Sequence, residues 1–235
     1  MSVDRFVVVV PARDEEARIT GCLDSIVRAA ASAGIRPDRI ELVVVADACA
    51  DATATRARRA MGAAGRVVEV AVRSAGRARA IGTAQGLARW PATAAERIWT
   101  AHTDADSVVP AGWLHHHRRV AEVGLAAVAG VVEVDTFEEH DDHTARRHRQ
   151  AYDGPGDHHP HVHGANLGVR ADAYRAVGGW AAVPSGEDHA LWQAVRRAGY
   201  PTLSTRTLRV VTSGRRVGRA PAGFAGHLSA LGEAV

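Results

Sequence analysis

A doubly wound, mostly parallel α/β sheet is the fold that this chain predicts, on three observations. Runs rich in β-branched residues, at 6–10, 40–45 and 66–72, are apolar on both faces, as strands buried in a parallel sheet are. A helix-length segment follows each run, long enough to cross over and start the next strand in the same direction. Acidic and basic residues gather just after the runs, at the strand ends where such sheets bind ligands.

The elements follow in order. The first strand, 6–10, stops at Pro11, and Asp14-Glu15-Glu16 opens a helix with Ile19, Leu23, Ile26 and Val27 at core spacing, closed by Gly34 and Pro37. The second strand, 40–45, runs into the turn 46–51, and Asp51 caps a helix over 52–61. A third strand, 66–72, precedes a helix over 77–90 that Pro91 ends. A fourth strand, 98–101, leads into Thr103-Asp104-Ala105-Asp106-Ser107, and a helix starts near Gly112 with His115-His116-His117 as a surface face. After a strand at 127–132 the periodicity disappears. The stretch 135–161 reads as a mobile, polar substrate loop, and its histidines lack the cysteines and the spacing of a closed zinc set. Order resumes with His163-Gly164-Ala165-Asn166, a short helix at 172–177, an amphipathic helix after Gly186-Glu187-Asp188-His189, a late strand at 208–211, and the Gly-Arg segment 213–219.

Composition narrows the class. The chain has 235 residues, 46% hydrophobic and 23% charged, which fits one folded domain and excludes disorder as the main state. A single domain is expected, with halves at 1–107 and 108–200 and an Arg-rich tail at 201–235. No apolar run approaches the ~20 residues of a membrane helix, and the first residues lack the pattern of an export signal. The two cysteines, Cys22 and Cys49, are too few for a disulfide framework and read as reduced thiols of a cytoplasmic protein. The net charge is +3 with arginine as the basic residue throughout, which suits planar, bidentate phosphate recognition. Basic runs interleaved with aromatics are missing, which disfavours nucleic acid as partner.

Asp104 and Asp106 stand two apart at a strand end, so both carboxylates point the same way. Together they suit one hard cation, Mg²⁺ or Mn²⁺, or one cation and a ribose. A cation held by one or two protein carboxylates keeps open positions, which diphosphate oxygens fill. The plain structural reading is an acidic turn ahead of a helix, and Glu187-Asp188 has the same alternative as helix N-terminal acids. The tail arginines are either a flexible anion-binding loop or a solvated basic end.

Each motif is common, but their order is specific. Pro11-Ala12-Arg13-Asp14-Glu15, Asp47 with Asp51, Asp104-Ala105-Asp106, His163-Gly164-Ala165-Asn166 and Gly186-Glu187-Asp188-His189 resemble family 2 glycosyltransferases of the GT-A fold, over about 7–200. The likeness extends to small actinobacterial members with an Arg-rich ending. It implies a Rossmann-like sheet with an acceptor-side extension and a UDP- or GDP-type donor sugar. Pro11, Ala12, Arg13 and Glu15 would line base and ribose, with Asp14 in the place of the family's Asn. Asp47 takes the position that reads the base edge, although Ala46 and Ala48 replace the family's Asp and Gly around it. Arg79 and Asp104 would complete the donor site.

Metal-dependent transfer with inversion is the implied activity, on an acceptor hydroxyl of unknown identity. Asp106, with Asp104, would hold the cation, and Asp188 would be the general base. Acceptor contacts fall to His163, Gly164, Asn166 and Glu187, and phosphate contacts to Arg215 and Arg216. His227 is the tail candidate for a third metal ligand, and the resemblance allows a homodimer. Two other readings are a nucleotidyltransferase, which needs a glycine-rich loop that 11–16 lacks, and a non-catalytic nucleotide-sugar-binding protein.

Overall fold

Val8, with no exposed surface, lies on an interior strand of the sheet, opposite Leu42 on one side and Ala101 on the other. The computed structural model describes residues 3–152, 155–218, 226 and 228, and His227 lies outside the described residues. In chain order the strands are β1 (Arg5–Ala12), β2 (Ile40–Asp47), β3 (Gly65–Val70), β4 (Ile98–His102), β5 (Ala127–Val134), β6 (Leu167–Arg170) and β7 (Thr202–Thr212). They form one sheet in the order β3-β2-β1-β4-β6-β5-β7. Only β6 runs against its neighbours, so the sheet is mostly parallel, as its apolar strands require.

The helices are α1 (Ile19–Ser32), α2 (Thr53–Met61), α3 (Ala75–Leu87), α4 (Trp113–Glu122), α5 (Asp142–Tyr152), α6 (Ala171–Ala176) and α7 (Glu187–Arg197). Alternate residues of β1 serve the two faces, which is why both must be apolar. Phe6, Val8 and Val10 pack with Leu23 and Ile26 of α1 and with Trp113 of α4. Val7 and Val9 share the opposite core with Leu87 of α3 and Leu191 of α7. Two glycines let α3 approach closely: a Cβ on Gly82 would lie 2.5 Å from Val9, and one on Gly86 only 2.2 Å from Val7. No helix among the described residues is long and apolar enough to cross a membrane.

Four expectations are corrected. Helix α1 starts at Ile19, not at Asp14, and Val27 is 46% exposed. The acids ahead of α1 serve a loop-to-loop seam: Asp14 Oδ1 accepts from the Ala50 N–H at 2.7 Å, and the Glu16 N–H donates to Asp51 Oδ2 at 3.0 Å. Part of the stretch 135–161 is helical, as α5, and the Tyr152 ring stacks on His161 at 4.2 Å. His117 is no surface residue. It is fully buried between Trp99 and Trp113, accepting the Trp99 Nε1–H at 3.0 Å on Nδ1. The segment after β7 is fastened rather than free: the Gly214 N–H donates to Asp135 Oδ1 at 2.7 Å, and a Cβ there would lie 1.8 Å from the Thr136 carbonyl oxygen.

Strand β7 carries the one register break in the sheet. Thr205 pairs with Gly130 and Arg209 with Val131, so Arg206, Thr207 and Leu208 bulge out. Asp157 fastens the bulge by accepting the N–H groups of Arg206 at 2.9 Å and Thr207 at 3.1 Å. From the other side the Asn166 amide donates to the carbonyls of Val131 and Leu208, both at 2.9 Å.

Candidate active site

The carboxyl ends of β1, β2 and β4 open into a cavity of about 380 Å³. Three non-glycine residues with left-handed backbone lie in the loops after β1, β2 and β3: Asp14 at φ 52°, Ala48 at φ 53° and Arg73 at φ 50°. Such conformations cost free energy, and they collect where a loop's shape is over-determined by its surroundings. Asp14 occupies this conformation more readily than most residues, as asparagine would.

Of the residues expected to face a donor, Pro11, Ala12, Arg13, Glu15, Asp47, Arg79 and Asp104 all line the cavity. Asp47 is 4% exposed and also holds the rim, since its two oxygens accept the N–H groups of Arg73 at 2.8 Å and Ser74 at 2.9 Å. Arg79 is fully enclosed and bridges two acids: Nη2 donates to Asp104 Oδ1 at 2.5 Å and Nη1 to Glu187 Oε1. The Trp180 ring lies 5.3 Å from its guanidinium carbon. Burial opposes the Arg79 charge, and Asp104 with Glu187 outweighs it, so the guanidinium is held more firmly protonated than usual.

Asp106 sits at the cavity floor beside β7. Its Oδ2 forms an ion pair with Arg215 Nη2 at 2.9 Å, and its Oδ1 accepts the Thr212 hydroxyl at 3.3 Å. Burial, with the neighbouring Asp104 charge, pushes this carboxyl up to about 6, against the pull of Arg215. Arg215 in turn makes a two-pronged pair with Glu15, at 2.9 and 2.6 Å. Arg216 is exposed and outside the cavity lining, with its backbone N–H on Glu139 Oε2 at 2.8 Å.

Asp188 lies in the first turn of α7, behind Gly186 at φ 74°. Its Oδ2 accepts the Gly164 N–H at 3.0 Å and its Oδ1 the His189 N–H at 2.7 Å. His163, Gly164, Glu187 and Asp188 line the cavity together. Asn166 does not. It is fully buried, its amide is spent on the β7 bulge, and its Oδ1 accepts the Trp113 Nε1–H at 3.1 Å.

Sequence reasoning missed Thr212 on Asp106, the Arg73-Ser74 amides on Asp47 and Trp180 against Arg79. No local pattern in the sequence marks any of these contacts. Among the described residues, one group of three or more His, Cys, Asp or Glu ligand atoms is close enough to share an ion: Asp14, Cys49 and Asp51, within 4.8 Å of one another. Their carboxylates already accept loop amides, such as the Thr53 N–H on Asp51 Oδ1 at 2.9 Å.

Solved structures share this architecture. A mannosyltransferase from Pyrobaculum calidifontis, in complex with GDP-Man and Mn²⁺, superposes with a TM-score of 0.69 at 20% identity, covering 92% of this chain and 59% of that one. S. aureus TarS with UDP-GlcNAc gives 0.67 at 13% identity, covering 94% and 61%. The chain thus spans about three-fifths of the length of these two proteins. A mycobacterial protein gives 0.58 at 18% identity, covering 97% and 71%. Curated protein sequences yield no match. These neighbours share the GT-A sheet, and the sequence model of glycosyl transferase family 2 matches residues 7–178, so the chain belongs to that family.

Proposed function

We propose that this chain transfers a sugar from a nucleoside diphosphate sugar to an acceptor hydroxyl, with inversion at the anomeric carbon and with a divalent cation held by Asp106 and Asp104. The observation that carries the reading is one cavity containing both the β4 carboxylate pair and Asp188. The pair fits a hard cation in its chemistry: its donors are oxygens, and Asp106 is a buried carboxylate with a second acid, Asp104, beside it. When bound, such a cation supplies Lewis-acid neutralisation of the charge that grows on the leaving diphosphate. Complexes of the neighbours with GDP-Man and Mn²⁺ and with UDP-GlcNAc support a GDP- or UDP-sugar as donor and a divalent cation, for which Mn²⁺ or Mg²⁺ is proposed.

The chain's own residues then divide the work. Pro11, Ala12, Arg13, Glu15 and Asp47 form the wall for base and ribose, with Arg79 behind Asp104. Arg215, which lines the cavity, offers a bidentate contact to phosphate, whereas Arg216 lies outside the lining. His163, Gly164 and Glu187 form the acceptor side. The acceptor oxygen attacks the anomeric carbon, the bond from that carbon to the diphosphate oxygen breaks, and the electron pair leaves with the nucleoside diphosphate. Asp188 takes the acceptor proton as general base, oriented by the Gly164 and His189 amides.

Calorimetry of UDP and GDP binding, with Mn²⁺ and with excess chelator, tests the metal reading. Binding is expected to need the cation, and Asp106→Ala is expected to remove that requirement together with most of the affinity. Equal affinity in chelator would refute the role given to Asp106.

A further inference from the structure

Arg215 makes contacts that a phosphate ligand waiting in solvent would not make. Its guanidinium is spread over two carboxylates, Glu15 and Asp106, and all three side chains are largely withdrawn from solvent. Glu15 is anchored through its backbone, whose N–H donates to the Thr53 hydroxyl at 2.7 Å. Arg215 is anchored through its segment. On one side of it Gly214 is pinned to Asp135 by its N–H and to His140 by its carbonyl, and on the other the Arg216 N–H is bound to Glu139. The arginine is therefore delivered to Asp106 by a strap whose backbone is already ordered, so little entropy opposes the contact.

We propose that Arg215 is a built-in counter-ion that occupies Asp106 before substrate arrives, so that it and a divalent cation compete for the same carboxylate. This inference rests on the metal reading given above and adds how the site is controlled. With Arg215 Nη2 only 2.9 Å from Asp106 Oδ2, a metal ion on that oxygen would stand against the guanidinium charge. A diphosphate resolves the competition, because it offers oxygens to both cations. Arg215 exchanges Asp106 for phosphate, and the carboxylate is released to the metal. Metal and nucleotide are then coupled through one side chain, and the free enzyme resists loading with metal alone.

The test is Mn²⁺ titration of metal-free protein without nucleotide, with free Mn²⁺ read by electron paramagnetic resonance. Arg215→Gln is expected to bind Mn²⁺ at least about fivefold tighter than the wild type, the lower end of coupling between linked sites. Arg215→Lys retains the charge but not the two-pronged fork, and is expected to fall between the wild type and Arg215→Gln. Arg36→Gln, which removes an exposed charge paired with Asp38, controls for net charge. Equal or weaker Mn²⁺ binding by Arg215→Gln overturns the proposal and leaves the metal site standing. No Mn²⁺ binding by any of these proteins, with or without UDP or GDP, overturns both. Hydrogen exchange of the wild type supplies a reading independent of any variant's folding: Mg²⁺ alone is expected to speed amide exchange in residues 214–218. Unchanged exchange at saturating Mg²⁺ overturns the competition.

Discussion

Arg79 of α3 and Glu187 of α7 meet side chain to side chain although 108 residues separate them, and the same guanidinium holds Asp104 at 2.5 Å. One buried guanidinium thus ties Asp104, just past β4, to the helix that carries Asp188. Gly164 leaves room for it, since a Cβ there would lie 2.5 Å from Arg79 Cζ. Arg79→Lys keeps the charge but replaces a planar fork with a point donor, which cannot hold both acids in this geometry. Losing one charge-assisted bond is expected to cost about 2 kcal/mol. Urea unfolding at neutral pH measures it, and a cost near zero would mean that the bridge is not formed in solution.

Asn166 separates two explanations of the His163-Gly164-Ala165-Asn166 segment. As an acceptor ligand, it would leave stability alone and raise KM when replaced. Its burial and its bonds to Val131, Leu208 and Trp113 make it a fastener of the β7 bulge instead. Asn166→Leu strands two carbonyls and one indole N–H, each worth about 1–3 kcal/mol when buried without a partner. The variant is expected to lose roughly 3 kcal/mol or more and to unfold at much lower urea. Wild-type stability with raised KM would return Asn166 to the acceptor site.

Local patterns made the donor half legible and hid most of the rest. Strands such as 6–10 declare themselves because a run of β-branched residues can be satisfied only inside a parallel sheet. The spacing of Asp104 and Asp106 singled them out, and both line the cavity, but they lie in the turn after β4 and take different partners, Arg79 and Arg215, which the spacing does not encode. The roles of Asn166, Asp157 and His117 depend on partners far along the chain, and no local period encodes them. Ala48 shows the opposite case. Its left-handed backbone keeps the conformation that the family's glycine takes easily, so the sequence alone argued against a geometry that is present.

The buried His117 and His102 set an acid limit on the fold. Burial pulls both imidazoles below the ordinary value, His117 to about 3. An unfolded chain binds these protons near pH 6.5 while the native one does not, so stability is complete above that pH and falls as pH drops toward 3. Each such group contributes a slope of roughly 1.4 kcal/mol per pH unit. His117→Phe is expected to be less stable at pH 7, because the Trp99 indole N–H loses its acceptor, yet to decline less steeply from pH 6 to pH 5. Chemical denaturation of both proteins at the two pH values checks this, and parallel declines would show that His117 is protonated in the native state.

Asp188→Asn tests the chemistry most directly. The amide is nearly isosteric and its oxygen can still accept the Gly164 N–H, so the fold and donor binding are expected to survive. It cannot take a proton, and sugar transfer is expected to fall by roughly 10² to 10⁴-fold, the usual worth of a general base. Were Asp188 only a favourable acid at the start of α7, the change would cost a few tenths of a kcal/mol and spare turnover. Glu187→Gln is the comparison, because Glu187 is committed to Arg79 and the proposed proton path does not pass through it. Its expected signature is a stability loss with a smaller effect on kcat. Abolished transfer in Glu187→Gln beside near-normal Asp188→Asn would move the base by one residue. Near-normal transfer in both would place the proton acceptor elsewhere in the cavity.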